Sequence, residues 1–497
     1  MLLTSTYGEA EGLVSDLISI LGEELVYPFL VDDAPMVEFL MSSQEKIISR
    51  VEALRFLTDS SKKGILVCNI AASRLILPSP NAFKDSIVKI SVGEEYDQHA
   101  FIHQLKENGY RKVTKVQTQG EFSLRGDILD IFEISQLEPC RIEFFGDEID
   151  GIRSFEVETQ LSKENKTELT IFPASDMLLR EKDYQRGQSA LEKQISKTFI
   201  TYFEIIPRRN SFKFSPKNKV MQTLGKFLSL CYDKTWTVFD YIEKDTPIFF
   251  DDYQKLMNQY EVFERDLAQY FTEELQNSKA FSDMQYFSDI EQIYKKQSPV
   301  TFFSNLQKGL GNLKFDKIYQ FNQYPMQEFF NQFSFLKEEI ERYKKMDYTI
   351  ILQSSNSMGS KTLEDMLEEY QIKLDSRDKT SICKESVNLI EGNLRHGFHF
   401  VDEKILLITE HEIFQKKLKR RFRRQHVSNA ERLKDYNELE KGDYVVHHIH
   451  GIGQYLGIET IEIKGIHRDY VSVQYQNGDQ IFYPRGTDSS TVQIYFK

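Results

Sequence analysis

Hydrophobic and polar residues alternate most regularly between residues 119 and 160, QGEFSLRGDILDIFEISQLEPCRIEFFGDEIDGIRSFEVETQ. Ile128, Asp130 and Phe132 share one side and Leu129 and Ile131 the other. Residues 141–145 alternate again before Gly146-Asp147, a period of two that predicts strands. The stretch reads as an antiparallel meander: strand, loop, strand, hairpin turn, strand. A glycine at the first central position of the turn suits type II′, whose twist matches adjacent antiparallel strands. In the second long strand Ile142 and Phe144 face one way, while Arg141, Glu143 and Phe145 share the other. Arginine and aromatic side chains dominate binding hot spots, so this second face is a candidate docking surface, with Arg125 as a further anchor just before Gly126. The plain alternative is a solvated sheet face on which Phe145 covers a turn.

Elsewhere the pattern changes. In the first hundred residues Ser42 and Glu45 make a capping box, followed by a helical stripe of Ile47, Val51, Leu54 and Leu57. Residues 64–69 then form a continuous apolar run, as expected of a strand buried on both faces. Residues 181–337 are rich in Phe, Tyr, Gln, Lys and acids, and read as mostly helical with a few strands. Beyond them lies a small α/β pattern, with strands near 348–352 and 404–409 and a helix carrying Leu363, Met366, Leu367 and Tyr370 on one face. Residues 410–422 look helical, and 425–439 are polar enough for a linker. From Lys441 onward, Gly442, Gly451, Gly453, Gly457, Gly465 and Gly478 punctuate short β-rich runs spaced for a small, bent antiparallel barrel.

The chain has 497 residues, 40% hydrophobic and 28% charged, which suits a soluble protein of several domains with real cores. No stretch approaches the ~20 apolar residues that span a bilayer, and residues 1–12 lack the regions of a signal peptide; a cytoplasmic protein is expected. Cys68, Cys140, Cys231 and Cys383 are far apart with no CxxC spacing, so neither a disulfide framework nor a zinc site is suggested. A formal charge of -13 argues against nucleic-acid binding over most of the surface, so any such contact is expected to be local or to belong to a part not in this sequence.

Several fragments mimic chemistry. The run 246–252, TPIFFDD, ends in Asp251 and Asp252 like a Walker B strand, whose acids would hold magnesium. No intact P-loop, G-x-x-x-x-G-K-[ST], accompanies it, so these acids read as a relic or a helix cap. Gly359-Ser-Lys-Thr follows a strand and opens a helix, but Ser360 intervenes before the lysine and no glycine stands five residues earlier. Seven of the nine residues 416–424 are basic, namely Lys416, Lys417, Lys419, Arg420, Arg421, Arg423 and Arg424. They are candidates for contact with DNA or an acidic partner, or a solvated helix end. His447, His448 and His450 alternate across a strand without an acidic or cysteine ligand nearby, and no metal site is assigned.

The segments RGDILDIF and RIEFFGDEIDGIRSFEVETQ resemble the second domain of the UvrB-homology module, found in UvrB and in bacterial transcription-repair coupling factors. The resemblance implies a UvrA-binding surface, with Arg125, Arg141 and Phe145 at its motif positions. Asp33, Glu38, Ser43 and residues 50–57 resemble the module's first domain from its middle onward, so the strand and phosphate-loop-like turn before it are expected to be absent. VYPFLVDDAPMVEFLMSSQEK has one tyrosine and no inserted hairpin, which favours the coupling factor over UvrB. EGNLRHGFHF to ILLITEHEIF resembles the coupling factor's third domain. KGDYVVHHIHGIGQYLGIE and DYVSVQYQNGDQIFYP resemble its polymerase-interacting domain, shared with CarD-type regulators. There an exposed strand edge pairs with the RNA polymerase β subunit, and motif position puts His448 at the centre with Val446 and Ile449 nearby. The family more often has an apolar residue at position 448. Beyond Pro484 the resemblance stops.

The expected fold is therefore multidomain, α/β and α+β. A degenerate UvrB-like nucleotide-binding lobe spans residues 1–103 and 181–337, with an antiparallel UvrA-binding β domain, 104–180, inserted in it. A small α/β domain, 338–425, a linker, 426–440, and a small SH3/Tudor-like barrel, 441–497, follow. The family's motor domains, with their ATP and magnesium, are not in this sequence. The implied function is an adaptor joining stalled RNA polymerase to UvrA, without cofactor, enzyme activity or membrane contact. An inactive remnant of a translocase gene and a UvrB-like excinuclease subunit are the alternatives.

Overall fold

The computed structural model describes residues 1–35, 44–197, 225–277, 280, 284–289, 299–304, 314–376, 382–414, 444–447, 451–463, 466–475, 480–484 and 494–496. Two compact units divide the chain, residues 1–425 and 426–497.

The first unit is built on a parallel sheet. Its five strands lie in the order Val300–Phe303, Ile248–Asp251, Leu2–Thr4, Ile65–Asn69, Val26–Phe29. Leu3, Val67 and Cys68 are fully buried, as the continuous apolar run at Ile65–Asn69 requires of a strand covered on both faces. Leu2–Thr4 is the central strand, and it leads through Ser5 and Thr6 into a helix, Tyr7–Leu21. This corrects the expectation that a strand ahead of residue 33 is absent. The local signal is short but present: Thr6 caps the helix by accepting from the Glu9 N–H at 3.3 Å, and Glu9 is the acidic residue three positions on.

The helix Gln44–Thr58 buries Ile48, Val51, Ala53 and Leu54 as well as Arg50, while Ile47 and Leu57 lie half-buried at the margins of its apolar stripe. The inward face is rotated from the expected stripe because it carries a cation. The Arg50 Nε donates to Asp176 at 2.6 Å, with both side chains almost fully buried, and its Nη1 donates to the Leu30 carbonyl at 3.2 Å. Beside it the Arg55 guanidinium lies 4.1 Å from the centre of the Phe172 ring. Ser42, the other half of the expected capping box, lies outside the described residues.

Between Ile65–Asn69 and Ile248–Asp251 the chain leaves the parallel sheet and returns. Val88–Ser91 and Glu168–Ile171 pair antiparallel at the point of departure and return. They enclose a six-stranded sheet in the order Ser162–Lys166, Glu148–Phe155, Cys140–Phe145, Ile128–Phe132, Glu121–Arg125, Arg111–Lys112. Its strands run antiparallel except for the last pair, which is parallel. Phe122, Leu129, Ile131, Ile142, Ile149 and Ile152 join the same buried cluster as Leu3 and Leu54, so one apolar core runs through both sheets.

A separate core, including Leu336, Ile350, Leu352, Leu363, Leu389 and Ile408, supports the small α/β sheet. Its strand order is Gln323–Pro325, Phe398–Phe400, Ile405–Thr409, Thr349–Ser354, Val387–Glu391, the last three mutually parallel. The helix Ser357–Glu369 buries Leu363 and Leu367 against it. This part rests on the helix Tyr7–Leu21: Arg395 donates to Asp16 from its backbone N–H at 3.0 Å and its Nε at 2.9 Å, and Asn393 N–H to Ser19 Oγ at 3.0 Å. The Arg395 guanidinium lies over Gly12, so that a Cβ there would displace it.

The second unit is a five-stranded antiparallel sheet in the order Gln480–Pro484, Ile466–Gln474, Gly451–Ile463, Tyr444–His447, Ile494–Phe496. No helix among the described residues is long and apolar enough to cross a membrane. The four cysteines are free, with Cys383 exposed and the others buried.

Candidate functional site

The six-stranded sheet ends in two adjacent two-residue hairpins. Arg125 pairs with Ile128 across Gly126-Asp127, and Phe145 with Glu148 across Gly146-Asp147. Gly146 takes φ +65° and Gly126 φ +61°, while neither aspartate has positive φ, the sign pattern of type II′ turns. The second turn matches the sequence reading, and the first repeats it with Arg125 in the place of Phe145. Ile128 lies opposite Glu143, so both tips project from the same end of the sheet. They are braced from outside by the segment 93–98. Tyr96 N–H donates to Asp147 O at 2.6 Å, Gly93 N–H to Ile149 O at 2.8 Å, and Gln98 Nε2 to Gly126 O at 3.3 Å.

The expected sidedness of the strand Cys140–Phe145 holds: Ile142 and Phe144 are buried, and Phe145 is 80% exposed. Polar groups on the outer face are less free than they look in sequence. Asp130 is only 1% exposed and accepts from Arg141 Nε at 2.7 Å, Arg141 Nη2 at 3.1 Å and Arg125 Nη2 at 2.5 Å. Arg141 also lies 4.8 Å above the centre of the Phe155 ring, which leaves its side chain 17% exposed. The bonds to Asp130 push the Arg141 guanidinium above even its usual basic range. Arg141 directly opposes Arg153, a like-charge pairing made tolerable because each has its own carboxylate, Asp130 for one and Glu143 for the other. Asp130, not chosen as a site residue from the sequence, thus holds Arg141 in place; the signal was its alternation onto the same face. The accessible part of the patch is Phe145 with half-exposed Arg125 and Ile128.

At the helix start that follows the central strand, this chain places its own acids. The Tyr7 N–H, at the start of the helix Tyr7–Leu21, donates to both Asp33 oxygens at 2.9 and 3.0 Å. Burial pushes the Asp33 carboxyl above its usual range, and the Tyr7 and Asn69 donors pull it back. Glu9 accepts from Ser5 and pairs with Lys255. Helix N-termini attract anions, and here the position is taken by a carboxylate of the chain. On the neighbouring strand, loss of surrounding water and the adjacent Asp252 raise Asp251, against the pull of Arg395. Asp252 is a helix cap, accepting from Lys255 N–H at 3.3 Å. The Gly359 turn is closed the same way: Asn356 caps it, and a Cβ on Gly359 would meet Glu410 Oε1 at 2.0 Å. ATP with magnesium is therefore expected to leave the melting temperature of the protein unchanged and to release no phosphate. Either a nucleotide-dependent shift or hydrolysis by the purified chain would refute this.

The other sequence-derived sites fall differently. Val446 sits in the strand Tyr444–His447, which is paired on both edges, by Gly451–Ile463 and by Ile494–Phe496. The expected exposed pairing edge is thus occupied at Val446, which faces Tyr495 across the ladder. His448 and Ile449 lie outside the described residues, as do Lys416, Lys417, Lys419, Arg420, Arg421, Arg423 and Arg424.

Comparison with known proteins follows this geometry. Residues 88–177, which contain the whole patch, match the UvrB interaction domain; residues 343–413 match the MFD D3 domain, and residues 439–495 the CarD-like/TRCF RID domain. The chain is 31% identical over 495 residues to the transcription-repair-coupling factor of Bacillus subtilis (strain 168). It is 32% identical over 496 residues to that of Staphylococcus haemolyticus (strain JCSC1435), and 31% over 498 residues to that of Staphylococcus aureus (strain MRSA252). Each match covers 97% of this chain and 42% of the relative's length. By its three domain matches and by similarity along nearly all of its length, the chain is similar to the transcription-repair-coupling factors and spans under half the length of the relatives it matches.

Proposed function

We propose that the chain is a docking scaffold that links RNA polymerase to UvrA through two separate units, acting in the cytoplasm without a cofactor of its own. The observation that carries the UvrA half is the exposed Phe145, set beside Arg125 on two braced hairpin tips inside the region matched by the UvrB interaction domain. An exposed aromatic on rigid backbone loses little conformational entropy on binding, and the half-buried guanidinium of Arg141 extends the patch. The experiment is direct titration of purified UvrA onto the chain and onto its Phe145→Ala variant.

Support for the polymerase half comes from the match of residues 439–495 to the CarD-like/TRCF RID domain. With Val446 paired on both sides, a contact by strand addition at Val446 requires Ile494–Phe496 to give way. The polymerase β subunit is expected to be captured by the full chain and not by residues 1–425, which form a compact unit of their own. Equal capture by that unit alone would assign the contact elsewhere. The closed lobe, with Asp33 on the helix N-terminus, favours a scaffold over a catalytic subunit.

A further inference from the structure

Within the small α/β part, two histidines and a carboxylate converge where the reading above has no use for them. Glu412 is almost fully buried and tightly held: its Oε1 accepts from Gly397 N–H at 3.0 Å, and its Oε2 from Thr409 N–H at 2.9 Å and Thr409 Oγ1 at 2.6 Å. Gly397 must be glycine for this approach, because a Cβ would stand 2.3 Å from Leu407 O and 3.0 Å from Glu412 Oε2. His396 and His411 approach the same oxygen, their Nδ1 atoms 3.7 and 3.6 Å from Oε1. These distances are too long for hydrogen bonds, and the His411 Nδ1, sealed from solvent, has no hydrogen-bond partner. One nitrogen or oxygen from each of the three residues lies within 4.8 Å of the others.

We propose that His396, His411 and Glu412 bind a late first-row divalent cation, zinc being the probe of choice, through two imidazole nitrogens and one carboxylate oxygen. Ligands 2.0–2.1 Å from a tetrahedral zinc stand about 3.4 Å apart, close to the two nitrogen-to-oxygen separations seen here. The remaining edge closes by rotation of His396, whose side chain is 65% exposed. The cation takes up the orphaned His411 nitrogen, and the fourth position stays open to water. The bonds from Gly397 and Thr409 orient the carboxylate as outer partners orient ligands in metal sites. Neither spacing nor periodicity discloses the group, since His396 lies on a loop before the strand Phe398–Phe400 and His411 in the turn of helix after Ile405–Thr409. The site also ties Arg395, which grips the first helix through Asp16, to the end of the sheet.

The test is zinc titration of the chelator-treated full-length chain by calorimetry, with the visible spectrum of added cobalt as a second readout. The wild type is expected to bind one equivalent that the His396→Gln, His411→Gln double variant lacks, and to melt higher with zinc than without. The His396→Gln single variant changes an exposed side chain, so it folds normally, and its zinc affinity is expected to fall about tenfold or more. Counting the lost equivalent separates this site from any binding by His447, His448 and His450. Equal stoichiometry and affinity in the wild type and both variants, or no binding by the wild type, would overturn the proposal.

Discussion

Phe145→Ala is expected to cost about 2 kcal/mol or more of UvrA binding, roughly thirtyfold in affinity, with no change in the melting temperature of the free protein. Its ring is 80% exposed, so the folded chain loses no packing when the ring is removed. Arg141→Ala is expected to behave differently from a simple contact residue. It removes two of the bonds to Asp130, which stays buried with only the half-exposed Arg125 to pair with. Breaking a buried ion pair from one side costs about 3–5 kcal/mol, and the remaining arginine keeps this case toward the lower end. Lowered melting together with lowered binding is the expected signature, and Ile142→Ala should lower melting most directly, by about 2–5 kcal/mol for a buried aliphatic. Calorimetric binding and thermal melting of the three variants check this together. UvrA affinity unchanged in folded Phe145→Ala would remove the docking role.

Asp176→Ala carries the second large effect, about 3–5 kcal/mol of stability. It removes the carboxylate that accepts from the Arg50 Nε, next to a guanidinium only 3% exposed, at the junction between the helix Gln44–Thr58 and the segment that returns from the inserted sheet. Because both sheets share one core, the loss is expected to appear as a lower midpoint of a single transition in denaturant. A variant that melts like the wild type would show that this ion pair is replaced by solvent at little cost.

Alternation made the docking strand readable: Ile142 and Phe144 went inward and Phe145 outward, because one face of a half-buried sheet must be apolar. The same rule could not say that Asp130 would be sealed beneath two arginines, since a lone acid on the outer face looks solvated. It also missed Arg50, a charged residue on the inner side of a helix, whose burial is reconciled in part by a carboxylate 126 positions away. Leu2–Thr4 was too short for periodicity to mark, although it is the centre of its sheet. His396 and His411 are joined only by the path of the chain through the sheet, and Val446 acquires its second neighbour from residues beyond Pro484, where the sequence reading had the resemblance stop but where the CarD-like/TRCF RID match continues to residue 495.

The central place of Leu2–Thr4 bears on the order in which this protein is made. On the ribosome Leu2 can pair with Val67 early, but its other neighbour, Phe249, is synthesised far later. At ~5–20 residues per second that wait is roughly 10–35 s. The inserted sheet is complete by Ile171, so it can close while the lobe still offers an unpaired apolar strand edge. Nascent chains halted before residue 248 are therefore the form of this protein most exposed to strand-edge aggregation and most in need of a chaperone.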